Sequence, residues 1–577
     1  MRGRVGAALG CLAWGGGLWA AARVDRLVAA LPCLDVARGE LGLLLLAVSV
    51  AVASARLFEG RLRVRFEPLS APLLYFASAL GLVWLGLHYT GRLRTTGDEP
   101  HYLLMAQSLW REGDLDLRDN YAREDFREHT PGPLAPHYGA PRADGRPHPA
   151  HGVGLPLLLA PAYGLAGRAG AVILLALAAA ALSLQVRHLA LRAVGEGRAA
   201  GFAWAAAVGP PLAVYAFHVY TEVPSALVLA TSLRMLLSSP GPWGAAAAAL
   251  LAGALPWLHL KMAPAGAALL CLGLWRLRGG VRAAFLSAAG VAALGFLLYQ
   301  QTVFGSLSPL AVYGGMPRGT HLAPRAEAVV GLLLDRSFGL LPHAPVFLLA
   351  LAGVVPLCRG RLREAAPHLM VATAVLWPIL GWRMWWGGQC PAGRFLVPAV
   401  PFLGVAMAAG VGGAARGLAR WRWVLLGLGL WGLLFAIQDP GRLLLVNRGA
   451  RPSRLWAAVS REVPVGRYLP SLVSGTPEEW RVAWVWLAAL AVLLGLDRLA
   501  QRREAADRLF RGMGLPVVLM LAVGILVDHR ARGVPSTRPA PGRQVAIDGG
   551  AGRPSGLDEP PHREQEPARE GWSREAP

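Results

Sequence analysis

The sequence predicts an all-α, polytopic membrane protein: a transmembrane helical bundle of about 13–15 helices, each needing roughly 20 apolar residues, with a large first outer loop carrying amphipathic helices. Three observations lead there. Hydrophobic residues make up 54% of the chain and charged residues 16%, where a soluble domain carries about 25% charged residues; the mean hydropathy is +0.42. The apolar residues fall in blocks such as 41–55 and 170–186, which must be helical because a bilayer offers backbone groups no water. The positive charge alternates along the chain, gathering in short arginine-rich turns on one side of the blocks, as in cytoplasmic loops.

The elements follow in order. Arg2 and Arg4 precede an apolar run and a small-residue end at Ala20–Ala22, the pattern of a signal peptide or a first helix. Because more helices follow, an uncleaved helix over about 5–22 is expected. A second helix covers about 40–56. The turn at 56–68 (RLFEGRLRVRFEP) carries four arginines and belongs inside, so a third helix at about 69–89 runs outward and the loop 90–151 lies outside. Residues 152–167 hold two prolines and stop short of a full span; they are read as lying in or dipping into the outer interface. Helices then follow near 169–187, 199–217, 223–238, 243–260, 262–276, 283–303, 338–356, 366–382, 396–413, 423–437, 482–497 and 513–528. Their inner turns carry Arg276, Arg278 and Arg282, then Arg359, Arg361 and Arg363, then Arg416, Arg420 and Arg422, then Arg498, Arg502 and Arg503.

The domain reading is therefore amino-terminal helices over 1–68, a core over 69–437, an outer loop over 438–481, carboxy-terminal helices over 482–529 and a polar tail over 530–577. That tail is rich in Pro, Arg, Glu and Gly and lacks the apolar residues to build a core. The net charge of +22 does not imply nucleic acid, since the arginines sit in short turns between apolar blocks. Cys11, Cys33, Cys271, Cys358 and Cys390 form no Cys-x-x-Cys pair, so neither a zinc framework nor a disulfide framework is indicated.

The same topology sorts the unusual polar residues onto one face. Asp98, Glu99, His101 and Tyr102 stand in GDEPHY just after the third helix. Glu222 follows in YTEVPSA, His259 and Lys261 in LPWLHLK, Asp335 in LLLDRSF, and Trp385, Trp386 and Arg394 in WWGGQCPAGRF. Any one of these is a fair helix cap or a snorkelling side chain, but acids and bases from five separate turns on one side of a membrane point to function. Two adjacent carboxylates followed by a histidine and a tyrosine offer a general base or a metal ligand. Lys261, His259 and Arg394 offer charge-assisted contacts to a phosphate, and Trp382, Trp385 and Trp386 suit an interface and can stack on a sugar or lipid head. This is the set needed to transfer a group off a lipid phosphate.

The segment TTGDEPHYLLMAQSLWREGDLDL (95–117) resembles the first outer loop of the GT-C membrane glycosyltransferases, the superfamily of protein O-mannosyltransferases and aminoarabinose transferases. The pieces at 151–163, 332–347 and 385–398 look like an uncharacterised bacterial branch of it, and the resemblance covers roughly residues 69–415. It implies a polyprenyl-phosphate-linked sugar donor, transfer with inversion at the extracytoplasmic face of a bacterial inner membrane, and a first-loop acid at Asp98 or Glu99. Asp98 is the preferred base and Glu99 its polar partner. Glu222 resembles a second acidic position. It also implies an amphipathic helix whose apolar face is Leu103, Leu104, Ala106, Leu109 and Trp110. Lys261 and Arg394 are phosphate ligands by charge and side alone. No large soluble carboxy-terminal domain follows, which favours a lipid, glycan or small acceptor over a peptide. No cofactor is expected; Asp98-Glu99 is not a D-x-D pair, so a divalent metal is not favoured. The competing readings are a multi-pass transporter and a non-catalytic envelope-assembly protein; against the transporter, no internal repeat is visible and the unusual residues lie on one face rather than at the midplane.

Overall fold

The computed structural model describes residues 13, 16, 17, 19–38, 70–317, 319–360, 362–412, 416–460, 463–509 and 515–532. The expected helix at 40–56, the turn at 56–68, most of 5–22 and the tail beyond 532 lie outside the described residues.

Every apolar block within them is helical: α1 (Ala71–Thr90), α2 (Glu99–Arg111), α3 (Gly154–Val194), α4 (Gly197–Ala207), α5 (Glu222–Leu237), α6 (Pro242–Leu258), α7 (Ala263–Arg276), α8 (Gly279–Phe304), α9 (Ala326–Leu334), α10 (Leu348–Gly360), α11 (Leu362–Leu380), α12 (Val400–Val411), α13 (Arg422–Gln438), α14 (Pro477–Arg502) and α15 (Leu515–Arg532). Among the described residues six helices are long and apolar enough to cross a membrane: α1, α3, α8, α14, the run Arg394–Val411 that ends in α12, and the run Gly417–Gln438 that ends in α13. The chain is a polytopic helical membrane protein. Its outward surface agrees. Phe76, Leu80 and Trp84 on α1 and Leu286, Val291, Leu294 and Leu298 on α8 are exposed, a side-chain population that water would not tolerate as one patch and that hydrocarbon accepts.

α3, α5 and α12 form the interior. α3 packs on α1, α2, α5 and α12, and α6 lies between α5 and α8. Small residues let the backbones approach: Ala171, Ala176, Ala179 and Ala180 on α3 and Ala226 and Ala230 on α5 are all fully buried, as expected of helices packing without a hydrophobic drive between them.

The observed elements depart from the expected ones where proline or a polar anchor intervenes. The helix expected over 199–217 stops at Ala207, because Pro210 and Pro211 cannot continue it. The helix expected from 338 starts only at Leu348, after two short turns over Leu340–His343 and Pro345–Phe347. Residues 154–165 are helical, and non-helical dihedrals at Ala166 and Gly167 separate them from the rest of α3. Trp110 of α2 lies over Gly164 in that first segment.

α2 also differs from the amphipathic surface helix expected. Residues 99–108 are all buried. Tyr102, Leu103 and Ala106 pack on Leu155, Leu159, Tyr163, Ala171 and Leu175 of α3, while Leu104 and Met105 on the opposite side pack on Leu117, Phe126 and Val153. Of the face that a membrane surface was expected to cover, α3 covers Leu103 and Ala106 and the polar loop covers Leu104; Trp110 remains half exposed.

Candidate functional site

Asp98 stands at the N-cap position of α2 without a side-chain capping bond, one residue after Gly97, whose φ of +57° falls in the left-handed region that glycine adopts without penalty. A Cβ at Gly97 would collide with the Tyr220 hydroxyl and the Gln389 carbonyl. That close approach joins three distant segments. The Tyr220 hydroxyl lies 3.2 Å from the Thr96 carbonyl and 3.3 Å from the Gln389 carbonyl, bridging the first loop and the WWGGQC turn.

Arg394 sits at the centre. Its Nη2 donates to Asp98 Oδ2 at 2.7 Å, its Nε to Glu222 Oε1 at 3.1 Å and its Nη1 to the Gly387 carbonyl at 2.7 Å. The guanidinium stacks on the Tyr220 ring at 4.0 Å. Gly387 has φ +89° and a Cβ there would press on the Arg394 side chain, so the Gly387-Gly388 turn is shaped around the arginine. Lys261 Nζ donates to the same Glu222 Oε1 at 2.8 Å and lies 4.2 Å from the Phe395 ring. Glu222, at the start of α5, is fully buried; Arg394 is 6% exposed, Lys261 11% and Asp98 31%. Two carboxylates and two cations thus form a neutral, largely desolvated cluster, and Asp98 is its solvent-facing member. Burial raises the Asp98 carboxyl, but the Arg394 guanidinium outweighs it and holds the group well below the usual carboxylate range.

Of the residues singled out from sequence, Asp98, Glu222, Lys261 and Arg394 are brought together. His259 adjoins them: its Nδ1 accepts the Lys261 backbone N–H at 3.2 Å, fixing the turn that presents the lysine. Tyr102 and His101 line the other side of Asp98. Tyr102 lies against the ring of His151 at 4.7 Å, and His101 lies 5.5 Å from His151 and 5.3 Å from His137.

Glu99, Asp335, Trp385 and Trp386 go elsewhere. Glu99 is buried and spends its oxygens on the Thr96 hydroxyl and on the backbone N–H groups of Thr96 and Val219. It ties α2 to the segment before α5. Asp335 accepts backbone N–H groups from Ser337, Phe338 and Leu472, pinning the loop 438–481 onto the turn before α10. Trp385 is buried against Gly331 of α9 with Trp386 edge-on at 5.8 Å; the tryptophan that borders the cluster through Phe395, at 5.8 Å, is Trp382.

Sequence reasoning did not single out Tyr220, Phe395, His137 or His151. Tyr220 and Phe395 lie inside motifs already quoted, YTEVPSA and WWGGQCPAGRF, and that membership was the available signal. His137 and His151 come from distant parts of the loop. His137 Nδ1 and His151 Nε2 are 3.1 Å apart, and their ligating nitrogens and an Asp98 oxygen all lie within 4.8 Å of one another.

A cavity of about 330 Å³ opens on the far side of the arginine loop. Pro391, Ala392 and Gly393 line it together with Pro211, Leu340, Leu433, Leu455 and Trp456, so its wall is almost wholly apolar.

No family model matches the sequence, and no curated protein matches it. Solved structures do. ArnT from Cupriavidus metallidurans bound to undecaprenyl phosphate is 17% identical, over 80% of this chain and 78% of that one, with a TM-score of 0.40. Its apo state is 16% identical over the same shares, with a TM-score of 0.42. AglB, the oligosaccharyltransferase of Archaeoglobus fulgidus, in complex with an inhibitory peptide and a dolichol-phosphate, is 14% identical over 64% of this chain and 55% of that one, with a TM-score of 0.34. Both are GT-C superfamily proteins, the superfamily that residues 95–117 resemble.

Proposed function

We propose that this chain is an integral membrane glycosyltransferase that moves a sugar, with inversion, from a polyprenyl-phosphate donor to an acceptor on the extracytoplasmic face. The carrying observation is the Asp98–Arg394–Glu222–Lys261 cluster: a partly open carboxylate paired with a buried arginine whose second carboxylate partner is shared with a lysine. The apolar cavity starting at Gly393 supports a donor with an isoprenoid tail, because it places hydrocarbon-lined space one residue from the phosphate-binding cation. The acceptor is a lipid, a glycan or a small molecule.

The geometry supports the following course. In the resting protein Arg394 occupies Asp98 and keeps it a weak base. A donor phosphate competes for the arginine fork, since a planar guanidinium binds phosphate and carboxylate by the same two-pronged contact. Glu222 stays behind on Lys261 and Arg394 and holds both cations in place. Asp98, released, accepts the proton of the acceptor hydroxyl. That oxygen forms its bond to the anomeric carbon as the bond to the phosphate oxygen breaks, and the polyprenyl phosphate leaves with its charge on the cations. Donor binding and base activation are one exchange. Glu99 and His259 act as positioning residues, and Tyr102 borders the acceptor side of Asp98.

The test uses reconstituted protein and a panel of lipid-linked sugars. General-base catalysis typically contributes 10²–10⁴-fold, so Asp98→Asn should lose turnover at saturating donor by about 3–5 kcal/mol in barrier. Lys261→Ala should instead raise the donor requirement, by the roughly 1.5–3 kcal/mol of a charge-assisted contact. Wild-type turnover in both Asp98→Asn and Glu99→Gln would remove the first loop from the chemistry and with it this reading.

A further inference from the structure

A small cavity of about 40 Å³ lies behind His151. Its walls come from the end of the first outer loop at 148–153, the last turns of α6 and α8, and the turn at 309–313. These stretches are tied together. The Ala140 N–H donates to the Val312 carbonyl at 2.7 Å and the Ala143 N–H to the Val303 carbonyl at 2.8 Å. A Cβ at Gly152 would press on the Trp257 and Leu258 carbonyls. The cavity shares no lining residue with the apolar one at Gly393. It lies on the Tyr102 flank of Asp98: the His151 ring in its wall is 4.7 Å from the Tyr102 ring, and a His151 nitrogen is within 4.8 Å of an Asp98 oxygen.

The chemistry of the wall is narrow. Trp257 meets Tyr299 at 5.0 Å and Phe296 at 5.4 Å, and Phe304 meets His148 at 5.0 Å, so a run of rings forms one side. His148 spends Nδ1 on the Pro149 carbonyl at 2.8 Å and Nε2 on the Tyr299 hydroxyl at 3.1 Å. Gln300, also in the wall, is 3% exposed, and its side-chain oxygen has no hydrogen-bond partner among the described residues. A buried acceptor left unpaired is costly. No Asp, Glu, Lys or Arg lines the cavity. One water needs roughly 10–15 Å³ of such space, so the cavity holds a group of about three or four non-hydrogen atoms, a single substituent and not a whole sugar ring.

We propose that this cavity receives an acylamino substituent, of acetamido size, on an acceptor sugar whose hydroxyl faces Asp98. The substituent's N–H meets the Gln300 oxygen and its methyl meets the rings, the division between one placed polar group and apolar walls that ligand pockets use. A hydroxymethyl group is smaller and brings no methyl to the rings. An ammonium, a carboxylate or a phosphate finds no counter-charge. The His151 imidazole separates the substituent from the attacking hydroxyl, a span that one sugar ring bridges. That the sugar is an acceptor rests on the transferase reading; the binding itself does not.

Saturation-transfer NMR on full-length protein in detergent reads binding without turnover. The probes are the methyl glycosides of N-acetylglucosamine and N-acetylgalactosamine, with those of glucose and glucosamine for comparison. The acetamido methyl protons of an acetylated probe should take up the strongest saturation. The glucose and glucosamine probes should bind at least about tenfold more weakly, the worth of a buried amide left unpaired. Gln300→Leu, and Ala150→Leu, which fills the cavity, should weaken the acetylated probe by a similar factor. Leu322→Ala, at an exposed residue outside the wall, should not. Ala150 is a partly exposed loop residue, so its substitution keeps the test decisive if Gln300→Leu does not fold. Equal binding of acetylated and plain probes, no binding of any probe, or unchanged binding in Ala150→Leu would show that the cavity holds only water and overturn the proposal. Transfer from lipid-linked sugars to the same probes is followed separately. Acetamido-dependent binding without transfer from any donor supports the cavity assignment and counts against the transferase reading. Transfer with no preference for the acetamido group overturns the assignment and leaves the transferase reading standing.

Discussion

Substituting Glu222 by Gln removes one negative charge from a site that holds two of each sign. The remaining charges are Arg394, Lys261 and Asp98, a net of one positive in a nearly dry pocket. At an effective dielectric of about 20, a unit pair at 2.8–3.1 Å attracts by about 6 kcal/mol before desolvation is counted. Breaking a buried pair by deleting one partner costs about 3–5 kcal/mol net, and Glu222→Gln falls in that range because both cations lose the negative charge of their shared acceptor. Lys261→Met leaves Glu222 still bonded to Arg394 and should cost less, about 1.5–3 kcal/mol. The double variant restores neutrality. It should therefore be more stable than Glu222→Gln alone, although it carries one more substitution. Apparent melting temperatures in detergent, followed by the fluorescence of the protein's 20 tryptophans, give the order. Wild type should melt highest, then Lys261→Met, then the double variant, then Glu222→Gln. If the double variant melts at or below Glu222→Gln, with penalties adding as they do for independent sites, the cluster is not the coupled unit described and the exchange mechanism loses its basis.

Three other outcomes are expected. On a background lacking the native cysteines, a cysteine at position 146 should react with a membrane-impermeant thiol reagent in intact cells and one at position 363 should not; the reverse pattern would invert the sidedness. Asp335→Asn should destabilise the protein by about 2–3 kcal/mol, since an amide oxygen replaces a carboxylate that accepts three backbone N–H groups, while per-molecule turnover of the folded fraction stays at wild type; a turnover defect at full stability would refute a structural role. Acidification from pH 7.5 to 5 should lower the melting temperature. Burial pulls His101 and His129 down to about 4, so the unfolded chain takes up protons near pH 6.5 before the folded one does, and the stability is complete above that pH and lost as pH falls toward 4. For His101 alone the loss at pH 5 is about 2 kcal/mol. The depressed Asp98 carboxyl adds no loss until lower pH, and an unchanged melting temperature across this window would contradict the burial of both histidines.

The sequence by itself determined that this is a membrane bundle, because continuous apolar blocks have no other way to satisfy their backbone. It also determined which turns carry the unusual charges, because such residues stand out against hydrocarbon. Local sequence alone did not distinguish the carboxylates, and the preference for Asp98 over Glu99 came from the resemblance. Asp98, Glu99 and Asp335 look alike in the chain, each an acid in a polar turn beside an apolar run. Tertiary structure separates them by the donors it brings within about 3 Å: a guanidinium for Asp98, and mainly backbone N–H groups for Glu99 and Asp335. The burial of α2 was likewise undecidable from its own residues, since the face that a loop covers and the face that a lipid surface covers ask for the same side chains. His137 and His151 carry no local pattern at all. Their meeting with Asp98 depends on how a long loop folds over one helix, and that is set by contacts far apart in the chain rather than by spacing along it.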